Sequence, residues 1–259
     1  MAEEALLRAS GLGRRFGGLA AVDAVSIELH VGQIHAVIGT NGAGKSTLVN
    51  MLSGELAPSA GSVRFAGHDV TRWTQPRRAR AGLGRSYQRT TIFNEFSVLE
   101  NCRLAAQAKE PRPWSFWERA SRDARSLGAA KQALDAAGLA PFAARSAGTL
   151  SHGAKRQLEI AMCLATAPQA LLLDEPLAGM GIEESGRMLE LLGALRPGHA
   201  ILLVEHDMDA VFRVADRITV MVNGTVIATG EPADIRRNSD VQIAYLGEVD
   251  VSSAAAMGA

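Results

Sequence analysis

The chain has 259 residues, 47% of them hydrophobic, enough to bury one large core or two small ones. Lys+Arg and Asp+Glu both number 27, so no overall charge draws it to nucleic acid or to an anionic membrane. The two cysteines, Cys102 and Cys163, lack metal-ligand spacing and suggest no disulfide framework, which fits a reducing cytosol.

The opening MAEEALLRAS begins acidic and lacks the charged-then-apolar order of a secretory signal. No uncharged apolar run approaches the ~20 residues that cross a bilayer. A soluble chain is expected, one that could still dock at a membrane surface. Residues 5–30 read as short strands, ALLRAS and then AVDAVSIELH with alternating apolar positions. Between them GRRFGGLAAV reads as a turn-rich loop with Phe16 as its only aromatic.

The stretch QIHAVIGTNGAGKST, residues 33–47, organises the chain. An apolar strand, Ile34 to Ile38, runs into a glycine-rich turn ending in lysine, serine and threonine. Gly39, Gly44, Lys45 and Ser46 satisfy G-x-x-x-x-G-K-[ST], the phosphate-loop pattern. Glycines let backbone N–H groups converge on phosphate oxygens, and the following helix points its positive end at them. Gly39, Asn41, Gly42, Gly44, Lys45, Ser46 and Thr47 are therefore expected to hold a nucleoside triphosphate. Lys45 can reach the β- and γ-phosphates, and the Ser46 hydroxyl can hold Mg²⁺.

A helix is expected over Ser46 to Leu52, with Leu48 and Leu52 on one face. After Pro58 and Gly61, SVRFAGHDV reads as a strand with a tight end. The basic stretch Arg72 to Arg89 reads as a solvated helix face with some phosphate or partner contacts. GLGRSYQ, residues 82–88, reads as a short strand that delivers Gln88 to a loop. Ser97 and Glu100 have the spacing of a capping box, and Pro111 and Pro113 break the helix that follows. From Trp117 through Ala120, Ala124, Leu127, Ala130 and Leu134 to Ala137, apolar residues recur at helical spacing, a core stripe closed by Gly138 and Pro141. Residues 97–165 thus form a mostly helical insert. ALLLDEP (170–176) and AILLVEHD (200–207) read as buried parallel strands flanking a helix around Glu184 to Leu195. RITVMVNGTVIATG is a hairpin turning at Asn223-Gly224, and the final VDVSSAAAMGA has little to pack.

LLLDEP puts Asp174 and Glu175 at the end of a buried strand. Asp174 can bind Mg²⁺, and Glu175 can polarise the attacking water as a general base. Gln88 can reach Mg²⁺ or that water, and His206 could contact the γ-phosphate. In LSHGAKRQLEIA, residues 150–161, Ser151 suits the N-cap of a helix.

The order of these features resembles the ATP-binding cassette (ABC) ATPases, over roughly residues 5–247. LSHGA resembles that family's signature motif, usually LSGGQ, with Leu150, Ser151 and Gly153 matching and His152 and Ala154 departing. The resemblance implies that Ser151 and Gly153 contact the γ-phosphate held by an opposite subunit. It also implies that Phe16 stacks on adenine, with a core anchor as the other reading of that residue. Gln88 matches the glutamine loop and His206 the switch histidine. LAGMG, residues 177–181, falls at the D-loop, where Gly181 replaces the usual aspartate.

The implied fold is α/β, a P-loop NTPase with a RecA-like core sheet, an antiparallel β subdomain and an inserted helical subdomain. Residues 5–248 would form a single ATPase domain, the core and β subdomain at about 5–90 and 166–248 and the helical subdomain at about 91–165. Residues 249–259 would be a disordered tail. GLGRSYQRTTIFNEFSVLENC and NSDVQIAYLGE further resemble the branched-chain amino-acid importer ATPases. Relatives serving urea import or lipopolysaccharide export share parts of these stretches.

The resemblance thus implies an ATPase with ATP and Mg²⁺ as ligands, at the cytoplasmic face of a bacterial inner membrane. Its implied partners are a second ATPase subunit, identical or paralogous, two transmembrane permease subunits and, indirectly, a periplasmic solute-binding protein, without nucleic acid. Two other readings stay open at this point: a soluble ABC ATPase of metal-cluster assembly or DNA repair, and a module that binds ATP but barely hydrolyses it.

Overall fold

The computed structural model describes residues 4–87, 91–109 and 123–244. Strands β1 (Leu7–Phe16) and β2 (Leu19–Leu29) pair antiparallel, burying Leu7, Leu12, Val22, Val25, Ile27 and Leu29. The expected loop at GRRFGGLAAV is instead mostly strand. Phe16 pairs directly with Leu19, because Gly17-Gly18 suffices for a two-residue turn. The chain then leaves for a second sheet through β3 (Gln33–Gly39) and α1 (Lys45–Ser53). It returns in β4 (Ala60–Phe65) and β5 (His68–Asp69), joined at Ala66-Gly67, giving the order β2-β1-β4-β5.

Next come α2 (Gln75–Arg80), β6 (Leu83–Arg85), and three helices, α3 (Val98–Lys109), α4 (Ala124–Ala136) and α5 (His152–Ala165). The chain closes with β7 (Ala170–Asp174), α6 (Ile182–Leu195), β8 (Ala200–Val204), α7 (Met208–Val214), β9 (Arg217–Val222), β10 (Thr225–Gly230) and α8 (Pro232–Arg237). The larger sheet runs β10-β9-β3-β8-β7-β6, parallel except for the β9–β10 hairpin, whose turn is Asn223-Gly224. Every residue of β7 and β8 is buried, as continuous apolar runs require when both faces are covered.

The period-2 alternation divides that burial between two cores. Leu171, Leu173, Ile201 and Leu203 pack with α3, α4, α5 and α6. Leu172, Leu202 and Val204 pack on the other side with Leu48 and Leu52 of α1 and with the antiparallel sheet. At about 1.5–3 kcal/mol per buried leucine side chain, the second of these cores holds the phosphate-loop helix against the sheet.

Ser97 caps α3 by accepting the Glu100 N–H at 3.1 Å, but among the described residues the reciprocal half of the capping box does not form. The Glu100 carboxylate instead takes the Arg103 guanidinium in a bidentate pair. The expected core stripe is buried at Ala130, Leu134 and Ala137 and half-buried at Leu127, but it fails at Ala124, which is exposed in the first turn of α4; Trp117 and Ala120 lie outside the described residues. The solvated-face reading of Arg72 to Arg89 fails at Arg78, which is 1% exposed. Its guanidinium donates to the carbonyls of Met51, Leu52 and Thr71 at 2.8, 2.6 and 3.0 Å. At the last turn of α1 the cation supplies donors where the helix's own run out, sharing the Met51 carbonyl with the Gly54 N–H at 3.3 Å.

Candidate nucleotide site

The parallel strands β3, β8 and β7 are neighbours and end on the same sheet edge, with Val37 and Asp174 both in register with Val204. The loop after β3, Asp174 and the residues after Val204 therefore converge where an open α/β sheet binds its ligand. Two glycines are required there. At Gly39 (φ 154°) a Cβ would sit 2.1 Å from the Met221 carbonyl oxygen, and at Gly44 (φ 94°) 2.3 Å from that of Ala21. Gly44 is also the N-cap of α1 and brings no side chain to the helix's first N–H groups. Lys45, 8% exposed, turns back to donate to the carbonyls of Gly39 and Thr40 at 2.6 and 2.9 Å. Asn41, Gly42 and Ser46 are exposed and Thr47 is half-buried. The Gly224 N–H donates to the Ala43 carbonyl at 3.1 Å, so the β9–β10 turn braces the loop.

Asp174 ends β7 at 3% exposure, and its Oδ1 is buried with no hydrogen-bond partner among the described residues. Burial raises its pKa and Glu175 adds to this, while Arg85 and Lys45 pull the other way. An orphaned carboxylate oxygen at the end of β7 and an exposed serine hydroxyl at the start of α1 are donors that suit Mg²⁺, which takes few protein ligands and shares phosphate oxygens. Glu175, half-buried, has φ 51°, and its N–H donates to the Val204 carbonyl at 2.9 Å. Left-handed backbone at a glutamate costs on the order of 1–2 kcal/mol and marks a place where position matters more than stability. His206 follows with a 62% exposed side chain.

Phe16, at the end of β1, is 49% exposed with the Arg14 guanidinium 4.9 Å from its ring centre, so it is not a core anchor. Gln88 lies outside the described residues. β6 ends at Arg85, whose guanidinium is clamped to Asn50, Ser53 and Glu55 around the end of α1.

Ser151 caps α5 as expected, accepting the Ala154 N–H at 3.2 Å. Its hydroxyl donates to Glu184 Oε1 at 2.8 Å, and a Cβ on Gly153 would lie 2.6 Å from the Glu184 carboxyl carbon. Ser151 and Gly153 thus meet the first turn of α6. His152, one of the departures from the signature, has Nε2 3.0 Å from the Ala178 carbonyl, tying the start of α5 to residues 177–181.

Sequence reasoning missed Gly224, Glu184 and Glu205. Glu205 is fully buried, its carboxylate accepting the N–H groups of Leu177 at 2.8 Å and His206 at 3.3 Å. Burial raises its pKa against those two hydrogen bonds. Its signal was present, since ILLVEHD repeats the form of LLLDEP, an apolar run ending in charge.

A glycine loop with its lysine, facing carboxylates at the ends of adjacent parallel strands, defines a P-loop nucleotide-binding protein. The family model described as ABC transporter matches residues 22–178, and the model described as branched-chain amino acid ATP-binding cassette transporter matches residues 225–251. The high-affinity branched-chain amino acid transport ATP-binding protein LivG of Salmonella typhimurium is 41% identical over 253 residues, 94% of this chain and 98% of that protein. Its counterpart BraF of Pseudomonas aeruginosa is 39% identical over 256 residues, with the same coverage. Among solved structures, a nucleotide-free ATP-binding cassette from an ABC transporter superposes with a TM-score of 0.82 at 28% identity, covering 93% of this chain and 99% of that one. The ADP conformation of an ATP-binding cassette gives 0.82 at 29%, covering 94% and 99%. The chain belongs to the ABC transporter family, as one of its ATP-binding subunits.

Proposed function

We propose that this chain hydrolyses ATP to drive import of branched-chain amino acids through separate transmembrane subunits, at the cytoplasmic face of the bacterial inner membrane. The observation that carries the ATPase reading is the orphaned, buried Asp174 oxygen beside the left-handed Glu175, facing the phosphate loop. The substrate reading is supported by the match over residues 225–251 and by the names of the 39–41% identical relatives.

In this reading the first N–H groups of α1 and the Lys45 ammonium bind the β- and γ-phosphates, Lys45 exchanging its two loop carbonyls for phosphate oxygens. Ser46, Asp174 and Gln88 would hold Mg²⁺, which neutralises charge on the phosphates when bound. Glu175 accepts a proton from the water that attacks the γ-phosphorus. The bond to the β–γ bridging oxygen breaks, and ADP leaves with that electron pair. His206 orients the γ-phosphate, and Phe16 swings onto adenine.

A second ATPase subunit completes each site, its equivalents of Ser151 and Gly153 capping the γ-phosphate, so two chains enclose two ATP molecules. ATP binds the closed pair more tightly than the open one, and that difference is what moves the permease. A groove of about 350 Å³ between α2, β6, α3 and α5, lined by Pro76, Ala79, Tyr87, Ala105 and Met162, receives the permease. Residues 91–165 then move as a helical unit against the rest of the domain. No helix among the described residues is long and apolar enough to cross a membrane, which fits attachment through the permease.

The test is isolation of the tagged chain from gently solubilised native membranes, with co-purifying chains identified by mass spectrometry. Two multi-span proteins and an ATPase subunit are expected. Soluble partners alone would contradict the importer.

A further inference from the structure

The carboxylate of Glu205 is fully buried beside the nucleotide site, and the hydrolysis chemistry above leaves it without a part. Burying a carboxylate is costly unless its oxygens are satisfied, and among the described residues its hydrogen bonds fall on the backbone of site segments. Oε1 accepts the Leu177 N–H at 2.8 Å, two residues after Glu175, and Oε2 accepts the His206 N–H at 3.3 Å. The same end of β8 holds two further points. The Val204 carbonyl takes the Glu175 N–H at 2.9 Å, and the Glu205 N–H donates to Val37, in the strand that feeds the phosphate loop.

Between Asp174 and Leu177 the chain reverses through the left-handed Glu175. That conformation is unfavourable for a glutamate and persists only when held on both sides. Val204 holds it at residue 175 and Glu205 at residue 177. We propose that Glu205 is a positioning residue for hydrolysis: its carboxylate fastens the Glu175 turn to the His206 segment, setting the base and the histidine in one frame. It acts through the two backbone N–H groups, with Oε2 also 3.9 Å from His206 Nδ1. The inference rests on Glu175 and His206 serving the roles given above.

The test compares Glu205→Gln, Glu205→Asp and Glu175→Gln with the wild-type chain. Glutamine offers one oxygen and an NH₂ group, so one of the two N–H groups loses its acceptor. Aspartate keeps the charge but withdraws it by one methylene, which also covers the case in which the glutamine variant does not fold. In the assembled transporter, kcat for ATP should fall about 10–100-fold in either Glu205 variant, the usual loss on removing a residue that orients a catalytic group, with KM within about twofold. In the isolated chain, amide exchange across residues 175–181 should accelerate while ATP affinity stays within about twofold. Glu175→Gln should lose hydrolysis with exchange of that segment no faster than in the wild type. Wild-type kcat in the Glu205 variants, or ATP affinity lost in step with kcat, overturns the positioning role. If Glu175→Gln hydrolyses like wild type, the assignment of the base fails, and this inference fails with it.

Discussion

Replacing Glu175 with glycine should make the nucleotide-free chain more stable while abolishing its activity. Glu175 sits at φ 51°, and left-handed backbone costs a residue with a Cβ about 1–2 kcal/mol. Glycine removes that strain but adds about 0.5–1 kcal/mol of unfolded-state entropy, leaving a mid-range net gain of about 0.5–1 kcal/mol. The backbone bond from residue 175 to the Val204 carbonyl survives the change, since it uses only the main chain. Charge acts in the same direction, because the Glu175 carboxylate opposes ionisation of both Asp174 and Glu205. For a chain of this size the backbone gain alone corresponds to about 1–4 °C in Tm. Glu175→Gln separates the two contributions, removing the charge but keeping the strained backbone. The expected order of Tm by scanning calorimetry is glycine above glutamine above wild type, with no ATP turnover in either variant. A glycine variant less stable than the glutamine variant would refute the strain argument.

Three further outcomes follow from the same geometry. Lys45→Ala should weaken ATP binding about 10–100-fold by calorimetric titration, as loss of a charge-assisted phosphate contact requires; unchanged affinity would contradict the phosphate-loop assignment. Arg78→Leu should destabilise the chain by about 2–4 kcal/mol in urea unfolding, because the carbonyls of Leu52 and Thr71 lose the guanidinium and that of Met51 keeps only the Gly54 N–H, and ATP affinity should hold if the folded protein is assayed. Glu159 is raised from its ordinary 4.5 mainly by burial, despite the Thr91 N–H and Arg156. The folded chain therefore keeps this proton longer than the unfolded one. Its contribution to stability is greatest below the unfolded pKa and is lost as pH rises through the folded value. Glu159→Gln, which retains an acceptor for the Thr91 N–H, should flatten that part of the stability–pH profile.

The strands and helices that carry the site were legible because their burial is written as periodicity. LLLDEP and AILLVEHD lie between two covered faces and so read as unbroken apolar runs. The phosphate loop was legible because only glycine tolerates its backbone at residues 39 and 44. What escaped was settled by partners distant in sequence. Arg78 looks like any residue of a basic run until the end of α1 presents it with carbonyls. Glu205 and Glu184 find their partners in segments 28 and 33 residues away, which no local pattern reveals. The loop expected around Phe16 failed for a simpler reason, since two glycines can reverse a strand without ending it.

The most direct test is leucine uptake into proteoliposomes holding the complete transporter, with ATP inside and loaded binding protein outside in an inside-in orientation. The account predicts ATP-dependent uptake that disappears when this chain carries Glu175→Gln. Uptake that persists at the wild-type rate with that variant, or ATP hydrolysis by the intact complex with no leucine moved, would contradict it.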